Sequence, residues 1–227
     1  MIDLHTHTLF SDGELLPSEL IRRAESMGLR ALAITDHVDI SNIDFVLERI
    51  LAVCRELEGR VKIKVLPGVE ITHVLPADFA KLVAYVRKKC KAIIVAHGET
   101  FVEPVNPGTN LAAIKAKVDI LAHPGLISEQ EVKLAALNGV CLEISGRKGH
   151  CLGNGHVAKL ARAFKAKLVL NTDTHSPENL ITRDQANRIA RGAGLEEEEI
   201  QRLIKNSEQL VADFFHDRNL EKKGGRK

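Results

Sequence analysis

The segment Ala31-Leu32-Ala33-Ile34-Thr35-Asp36-His37 joins a short apolar run to an acid and a histidine. Six other apolar runs of this kind occur along the chain, each followed within a few residues by polar or glycine-containing sequence: Ile2–Leu4, Ile63–Leu66, Ala92–Ala96, Ile120–Ala122, Val140–Ile144 and Leu168–Leu170. Segments of helical period separate these runs. Such an alternation predicts repeated βα units around a parallel sheet.

Helix-start and helix-end residues frame the segments between the runs. Pro17 lies near the start of the first helical segment, and Gly28 follows its end. Thr109 precedes a helix predicted over 110–117, and Ser128 precedes one predicted over 129–137. Proline in the first turn, a hydroxyl residue at the N-cap and glycine after the last turn are usual helix boundaries. A final helix is predicted over about 196–215 from apolar residues at helical spacing: Ile200, Leu203, Ile204, Leu210, Val211 and Phe214.

Length and composition indicate a single globular domain. The chain has 227 residues, of which 44% are hydrophobic and 27% charged. Single α/β domains commonly reach about 200–250 residues, so we expect one domain over residues 1–218, followed by a disordered basic tail over 219–227. Because Trp is absent and aromatic residues make up only 4% of the chain, the core must be aliphatic, as in the buried strands of a parallel sheet.

Charge, cysteine and hydropathy patterns exclude several classes of protein. A formal net charge of +2 lacks the electrostatic footprint of a dedicated nucleic-acid binder, so nucleic acid is disfavoured as a partner. The four cysteines show no C-x-x-C spacing and predict no disulfide framework. Neither a membrane span nor a signal peptide is recognisable. We therefore expect a cytoplasmic protein without membrane contact, and the sequence leaves its oligomeric state open.

Ionisable residues follow nearly every predicted strand. In chain order they are His5, His7, Asp12, Asp36, His37, Glu70, His97, His123, Asp173 and His175. The carboxyl ends of parallel strands form one face of a βα fold, where functional groups gather. A single histidine is more often a satisfied core or surface residue. The whole set predicts one site, because burying so many ionisable groups together is costly unless metal cations compensate.

Spacing and chemistry indicate which ligands act together. His5 and His7 are two residues apart, as are Asp173 and His175, so each pair lies on one face of an extended strand. Nitrogen and oxygen ligands without paired thiolates favour Zn, Mn or Fe(II). The nine candidates other than Asp36 exceed what one ion can use, so we expect two or three divalent ions and at least one bridging carboxylate.

The ordered series His5-Thr6-His7, Ser11-Asp12-Gly13, Thr35-Asp36-His37, Gly68-Val69-Glu70, His97, His123 and Asp173-Thr174-His175 resembles the PHP (polymerase and histidinol phosphatase) family over almost the whole chain. The resemblance implies an α/β fold, a distorted (β/α)7 TIM-like barrel, with a trinuclear metal site; here it is followed by the predicted C-terminal helix. It assigns one ion to His5, His7, Glu70 and Asp173. It assigns a second ion to Glu70, His97 and His123, and a third to Asp12, His37 and His175.

These features predict a hydrolase acting on phosphoester bonds through metal-activated hydroxide, with no protein nucleophile. The expected catalytic group is His5, His7, Glu70, Asp173 and His175. The expected substrate is a phosphomonoester of a small metabolite, and the resemblance adds histidinol phosphate as a candidate. Two alternatives stay open: a phosphodiesterase or 3′–5′ exonuclease, and a non-catalytic RNA-binding barrel, which would lack the ligands that this chain retains.

Four residues are candidates for substrate binding. Arg147 follows the sixth predicted strand, where its planar fork would suit phosphate oxygens, and His150 lies in the same glycine-rich loop. Glu143 ends that strand and would contact a substrate amine or hydroxyl or support a ligand. Glu99 belongs to the long connection 98–108, interpreted as a specificity lip or a proline-stiffened spacer. The proton donor to the leaving group stays open among His150, His156 and Asp36.

Overall fold

Seven parallel strands form the main path of one sheet in the computed structural model, which describes the backbone of residues 1–224 and the side chains of residues 1–216. In sheet order they are β1 (Ile2–Asp3), β2 (Ala31–Ile34), β4 (Lys64–Ile71), β5 (Ile93–His97), β6 (Ile120–Ala122), β7 (Cys141–Ser145) and β8 (Leu168–Asn171). A further short strand, β3 (His37–Val38), pairs with β4 beside this path. The predicted distorted, TIM-like βα barrel is confirmed.

Helices connect and surround the strands. They are α1 (Pro17–Ser26), α2 (Ile43–Leu57), α3 (Phe79–Lys89), α4 (Thr109–Lys115), α5 (Glu129–Asn138), α6 (Asn154–Phe164), α7 (Arg183–Gly192) and α8 (Glu197–Gly224). Ser128 caps α5 through a reciprocal pair of contacts with Glu131, and Gly139 ends that helix with φ of 75°. The boundaries predicted for α5 therefore match, because its capping signals act within the segment itself.

The barrel closes between β1 and β8 mainly through side chains. Thr6 and Thr174 form a parallel β-bridge. The Leu4 backbone N–H donates to Asn171 Oδ1 at 2.9 Å, and Thr172 Oγ1 donates to Asp3 Oδ2 at 2.6 Å. The segment that carries His5, after β1, is thus held beside the segment that carries Asp173, after β8.

The fourth strand is longer than predicted. The predicted strand ends at Leu66, yet β4 continues through Pro67 and Gly68 to Ile71. Gly68 allows this continuation, since a Cβ there would lie 2.6 Å from Thr35 Cγ2 and 2.8 Å from the Ile93 carbonyl oxygen. Glu70 therefore sits inside a strand, paired in register with His37, and not in a following loop.

The two faces of the sheet contribute to two separate apolar clusters. Outward-facing strand residues pack against α1–α7, whereas alternate residues such as Ala33, Leu66 and Val95 form a separate inner cluster. Val211 and Phe214 of α8 belong to that inner cluster. The histidines occupy the carboxyl end of the barrel. Helix α8 covers the opposite, amino-terminal end.

Helix α8 extends beyond the predicted 196–215, and its backbone is described to Gly224. The predicted tail, residues 219–227, falls where side chains are not described, and residues 225–227 lie outside the described residues. The domain boundary at 218 stays a prediction. Among the described helices, none combines the length and the apolar character needed to span a bilayer.

Candidate metal centre

All nine predicted ligand residues meet at the carboxyl end of the barrel. Three of them lie in strands β3, β4 and β5: His37, Glu70 and His97. The other six follow strand ends or lie in the loops beyond them: His5, His7, Asp12, His123, Asp173 and His175. Asp12 is the most exposed of the nine, with 59% of its side chain accessible. Parallel strands deliver these residues to one face of the barrel, although their sequence positions span most of the chain.

His5 and His7 each lie close to both Glu70 and Asp173. His5 Nε2 lies 3.2 Å from Glu70 Oε1 and 3.6 Å from Asp173 Oδ1. His7 Nε2 lies 3.2 Å from Asp173 Oδ1 and 3.6 Å from Glu70 Oε2. These four side chains are almost entirely buried. Two imidazoles and two carboxylates therefore enclose one small volume.

Two further groups flank this volume. Glu70, His97 and His123 present ligand atoms within 4.8 Å of one another. On the other side, Asp12 Oδ1 lies 3.1 Å from His175 Nε2 and 3.5 Å from His37 Nε2. A ligand atom of His7 also lies within 4.8 Å of those of Asp12, His37 and His175. The groups therefore share more residues than three separate ligand sets would.

Several buried ligand atoms of the site lack hydrogen-bond partners among the described residues. They include His5 Nε2, both nitrogens of His7, both oxygens of Glu70 and Asp173 Oδ1. Leaving such groups unpaired in a protein interior costs free energy for each atom. Divalent cations would satisfy them together, and the mixture of imidazole and carboxylate suits Zn, Mn or Fe(II). The residues present thus fit a metal centre.

His7 and Glu70 are held in the protonation states that bind metals, whereas Glu70, Glu143 and Asp173 raise the pKa of His5 against the effect of its burial. Burial and the neighbouring His37 and His175 hold the pKa of His7 well below its usual value, so its imidazole is neutral. Burial opposes ionisation of Glu70, but His5 and His37 outweigh it and hold the pKa of this carboxyl well below its usual value. Neutral imidazoles and ionised carboxylates are the forms that bind metals.

The sequence matches the PHP domain family over residues 3–181. The chain belongs to the PHP domain family. This membership confirms the predicted enzyme class, a hydrolase of phosphoester bonds.

Three similar proteins illustrate the breadth of this PHP fold. An uncharacterized protein of Methanocaldococcus jannaschii is 45% identical over 204 residues, which cover 89% of this chain and 94% of that protein. A chain in the cryo-EM structure of archaeal ribonuclease P with mature tRNA has a TM-score of 0.71 at 18% identity, covering 95% of this chain and 92% of that one. Histidinol phosphate phosphatase from Lactococcus lactis, solved with zinc, L-histidinol and phosphate, has a TM-score of 0.61 at 17% identity, covering 86% and 94%. The two structural likenesses show the shared fold alone.

Asp36 organises the loop that carries Asp12 in this PHP domain. Its carboxylate accepts hydrogen bonds from the Thr8 N–H, the Thr8 hydroxyl and the Ser11 hydroxyl, each at 2.7 Å. Gly13 lets the loop pack closely, since a Cβ there would lie 2.7 Å from the His7 carbonyl carbon. With all these contacts made inside the fold, Asp36 positions the loop and does not face the pocket as a proton donor.

Arg147 and His150 reach the pocket that opens over the metal centre. Arg147 Nη1 donates to the Asp173 carbonyl oxygen at 2.9 Å and contacts His175 Nδ1. His150 Nδ1 lies 2.8 Å from Thr100 Oγ1, and its Nε2 lies 4.0 Å from Asp173 Oδ2. Both side chains line this pocket together with His37, His97, Asp173 and His175.

Two of the predicted substrate contacts lie elsewhere. Glu143 is fully buried beneath the centre, where its Oε2 lies 2.8 Å from His5 Nδ1 and accepts a hydrogen bond from Asn171 Nδ2 at 2.9 Å. Glu99 Oε1 accepts from the backbone N–H groups of Gly108 and Asn110, at 3.0 and 2.9 Å, and so caps α4. This side-chain cap, with Gly108 at the N-cap, replaces the predicted Thr109 cap.

His156, another candidate proton donor, also lies away from the pocket lining. Its Nε2 is 2.7 Å from the Ile127 carbonyl oxygen, which fixes the ring against the loop before α5. Of the three residues considered for proton donation, His150 is the one placed at the pocket.

The pocket is also lined by residues to which the sequence assigned no role, among them the ionisable Glu103 and His73. Glu103 Oε2 lies 2.9 Å from His97 Nε2, and its Oε1 lies 3.3 Å from His150 Nε2. These imidazoles hold the pKa of Glu103 well below its usual value, so the carboxyl is ionised. The one signal in the sequence was the unusual length of the loop 98–108, which marks a functional loop without saying which residue acts.

Proposed function

We propose that this PHP domain hydrolyses phosphomonoesters of small metabolites at a centre of two or three divalent ions. One observation carries the proposal. The buried, unpartnered ligand atoms of His5, His7, Glu70 and Asp173 lie beneath an open pocket that Arg147 also lines. Hydrolysis of a phosphoester needs metal ions that activate water and a cation that binds the phosphate oxygens. The ligand atoms and the Arg147 guanidinium would supply both.

The proposed ligand sets follow the overlap of the groups. His5, His7, Glu70 and Asp173 would hold one ion at the floor of the pocket. Glu70, His97 and His123 would hold a second ion. Asp12, His37 and His175, the more exposed residues, would hold the third at the solvent side. Divalent ions of this kind, when bound, lower the pKa of water and neutralise charge on phosphate oxygens.

The protein's own residues contribute orientation and charge. Arg147 lines the pocket and is held there by the Asp173 carbonyl oxygen, which accepts a hydrogen bond from its Nη1. His150 is fixed by Thr100 and Glu103 and would donate the proton to the leaving group. Burial of His5 and His7 excludes bulk water from the floor of the centre, which strengthens electrostatic interactions there.

Phosphodiester hydrolysis is the second candidate, because the same ligand set and an open pocket would also serve a diester. A non-catalytic RNA-binding barrel is disfavoured by the retention of all nine ligand residues. Histidinol phosphate as substrate, a cytoplasmic location and the identity and number of the ions stay predictions.

A substrate panel with metal analysis tests the proposal. The purified chain would be assayed for bound metal, then for hydrolysis of histidinol phosphate, nucleoside monophosphates and a chromogenic diester, with Mn, Zn or a chelator. We expect monoester hydrolysis that the chelator abolishes and added metal restores. Diester turnover exceeding monoester turnover would favour the second candidate. Absence of turnover and of bound metal would contradict both.

A further inference from the structure

A second group of ligating side chains stands at the mouth of the pocket. His73 and Glu103 lie outside the nine-residue ligand set, yet they meet one of its members, His97. Glu103 Oε2 is 2.9 Å from His97 Nε2 and 3.3 Å from His73 Nε2. The ligand atoms of the three residues all lie within 4.8 Å of one another, close enough for one cation. Two imidazoles and a carboxylate are a common ligand set for divalent transition metals.

Contacts of the loop 98–108 and the backbone conformation of residue 73 fix Glu103 and His73 at the mouth of the pocket. Glu99 ties one end of the loop 98–108 to the start of α4. Further along the loop, Val102 packs on Gly149, where an added Cβ would lie 3.1 Å from Val102 Cγ1. His73 follows β4 with φ of 52°, a left-handed conformation that is rare for histidine and is retained where the surroundings require it.

The mouth group (His73, His97 and Glu103) and the inner group (Glu70, His97 and His123) differ in how exposed their side chains are to solvent. Glu70, His97 and His123 are at most 2% exposed. The side chains of His73 and Glu103 are 45% and 35% exposed. A hydrated cation arriving from solvent therefore meets His73 and Glu103 before it can reach the buried group.

His97 belongs to both groups, and a neutral imidazole supplies one lone pair to one ion. His97 can therefore serve only one of the two groups at a time. We propose that His73, Glu103 and His97 form a transfer position, where a divalent cation first exchanges water for protein ligands before moving to Glu70 and His123. This inference rests on the proposed role of Glu70, His97 and His123 as ligands.

Metal-uptake kinetics test the transfer position without any substrate. Chelator-stripped full-length protein would be mixed with Mn²⁺, and free Mn²⁺ would be followed by electron paramagnetic resonance. We expect His73→Asn and Glu103→Gln each to slow uptake on the order of tenfold, the effect of losing about 1.4 kcal/mol of binding at the mouth. The final manganese content should match the wild type, and exposed His216 provides the control variant His216→Asn.

The outcomes separate the two proposals. Wild-type uptake rates in both variants would overturn the transfer position and leave the proposed function standing. Lower manganese content at equilibrium would make His73 and Glu103 permanent ligands, which also overturns transfer. A wild-type chain that binds no manganese would overturn the proposed function and this inference with it.

A structural experiment provides a second, independent check. Replacing His123 with Asn removes a ligand from the inner group and should leave the ion at the transfer position. In crystals of the His123→Asn variant soaked with Mn²⁺, we expect an anomalous peak between His73, His97 and Glu103. Anomalous peaks elsewhere in the centre with none at the mouth would contradict the inference.

Discussion

Glu143 Oε2 lies 2.8 Å from His5 Nδ1, and both side chains are fully buried. The contact leaves His5 Nε2 facing Glu70 and Asp173. Asn171 holds the same carboxylate oxygen from β8. A carboxylate on the far nitrogen of a ligand histidine sets the direction of the ring and raises its basicity. The role of Glu143 is therefore to position His5, not to contact substrate.

Glu143→Gln should weaken metal binding by about 10–100-fold, because an amide orients and polarises the imidazole less well than a carboxylate. Competition with a fluorescent chelator measures the affinity. Glu56, an exposed residue of α2, supplies the control Glu56→Gln. Equal affinities for wild type and Glu143→Gln would show that the contact does not support the centre.

His7→Ala and Asp173→Asn should each abolish turnover and leave the fold largely intact. Both nitrogens of His7 lack hydrogen-bond partners, so removing the ring breaks no hydrogen bond within the described structure. Circular dichroism and thermal melting check the fold, and His216→Ala serves as the control. Near-normal turnover in either variant would refute the proposed ligand set.

Arg147→Ala should raise KM on the order of tenfold with a smaller change in kcat, since a charge-assisted hydrogen bond to phosphate contributes about 1.5–3 kcal/mol. Steady-state kinetics on the best monoester of the panel measure both constants. Lys148 is the adjacent cation and does not line the pocket, so Lys148→Ala is the matched control. Unchanged KM in Arg147→Ala would remove Arg147 from phosphate binding.

Glu99→Ala should lower the free energy of unfolding by about 1 kcal/mol, the usual cost of losing a helix cap. Its carboxylate satisfies two N–H groups at the start of α4. Denaturant unfolding of Glu99→Ala and of the control Glu129→Ala measures the difference. A stability equal to that of the wild type, combined with a raised KM, would restore Glu99 as a substrate contact.

Asp3 should make stability depend on pH. Burial raises the pKa of Asp3 from its usual 3.8 to about 6, against the opposing hydrogen bonds from Thr172. The folded state thus binds more protons than the unfolded state between these values, and stability falls as pH rises through this window. Between pH 3.8 and about pH 6, the free energy of unfolding of the wild type should fall by on the order of 3 kcal/mol relative to that of Asp3→Asn.

Unfolding in chelator at a series of pH values separates this effect from metal loss. The Asp3→Asn variant should lack the slope that the wild type shows. Parallel stability curves for the two proteins would mean that Asp3 keeps its ordinary pKa in the fold.

The fold and the nine converging residues were predictable from the sequence because their signals are local. Apolar runs such as Ala31–Ile34 mark buried strands, and the spacing of His5 and His7 places both side chains on one face. Parallel strands then carry every strand-end residue to the same end of the barrel. The inward direction of Glu143 follows from the same alternation, since it lies two residues from buried Cys141 of the inner cluster.

Only the tertiary structure decided which long-range partner each remaining side chain meets. Glu99 and Glu103 lie four residues apart in one loop, yet Glu99 caps α4 while Glu103 reaches the imidazoles of His73, His97 and His150. Loop paths depend on contacts between distant segments, such as Val102 with Gly149, which no local pattern encodes. The sequence by itself determined the barrel and its candidate metal ligands, whereas tertiary packing decided which carboxylates contact those residues from below and which lie at the mouth of the pocket.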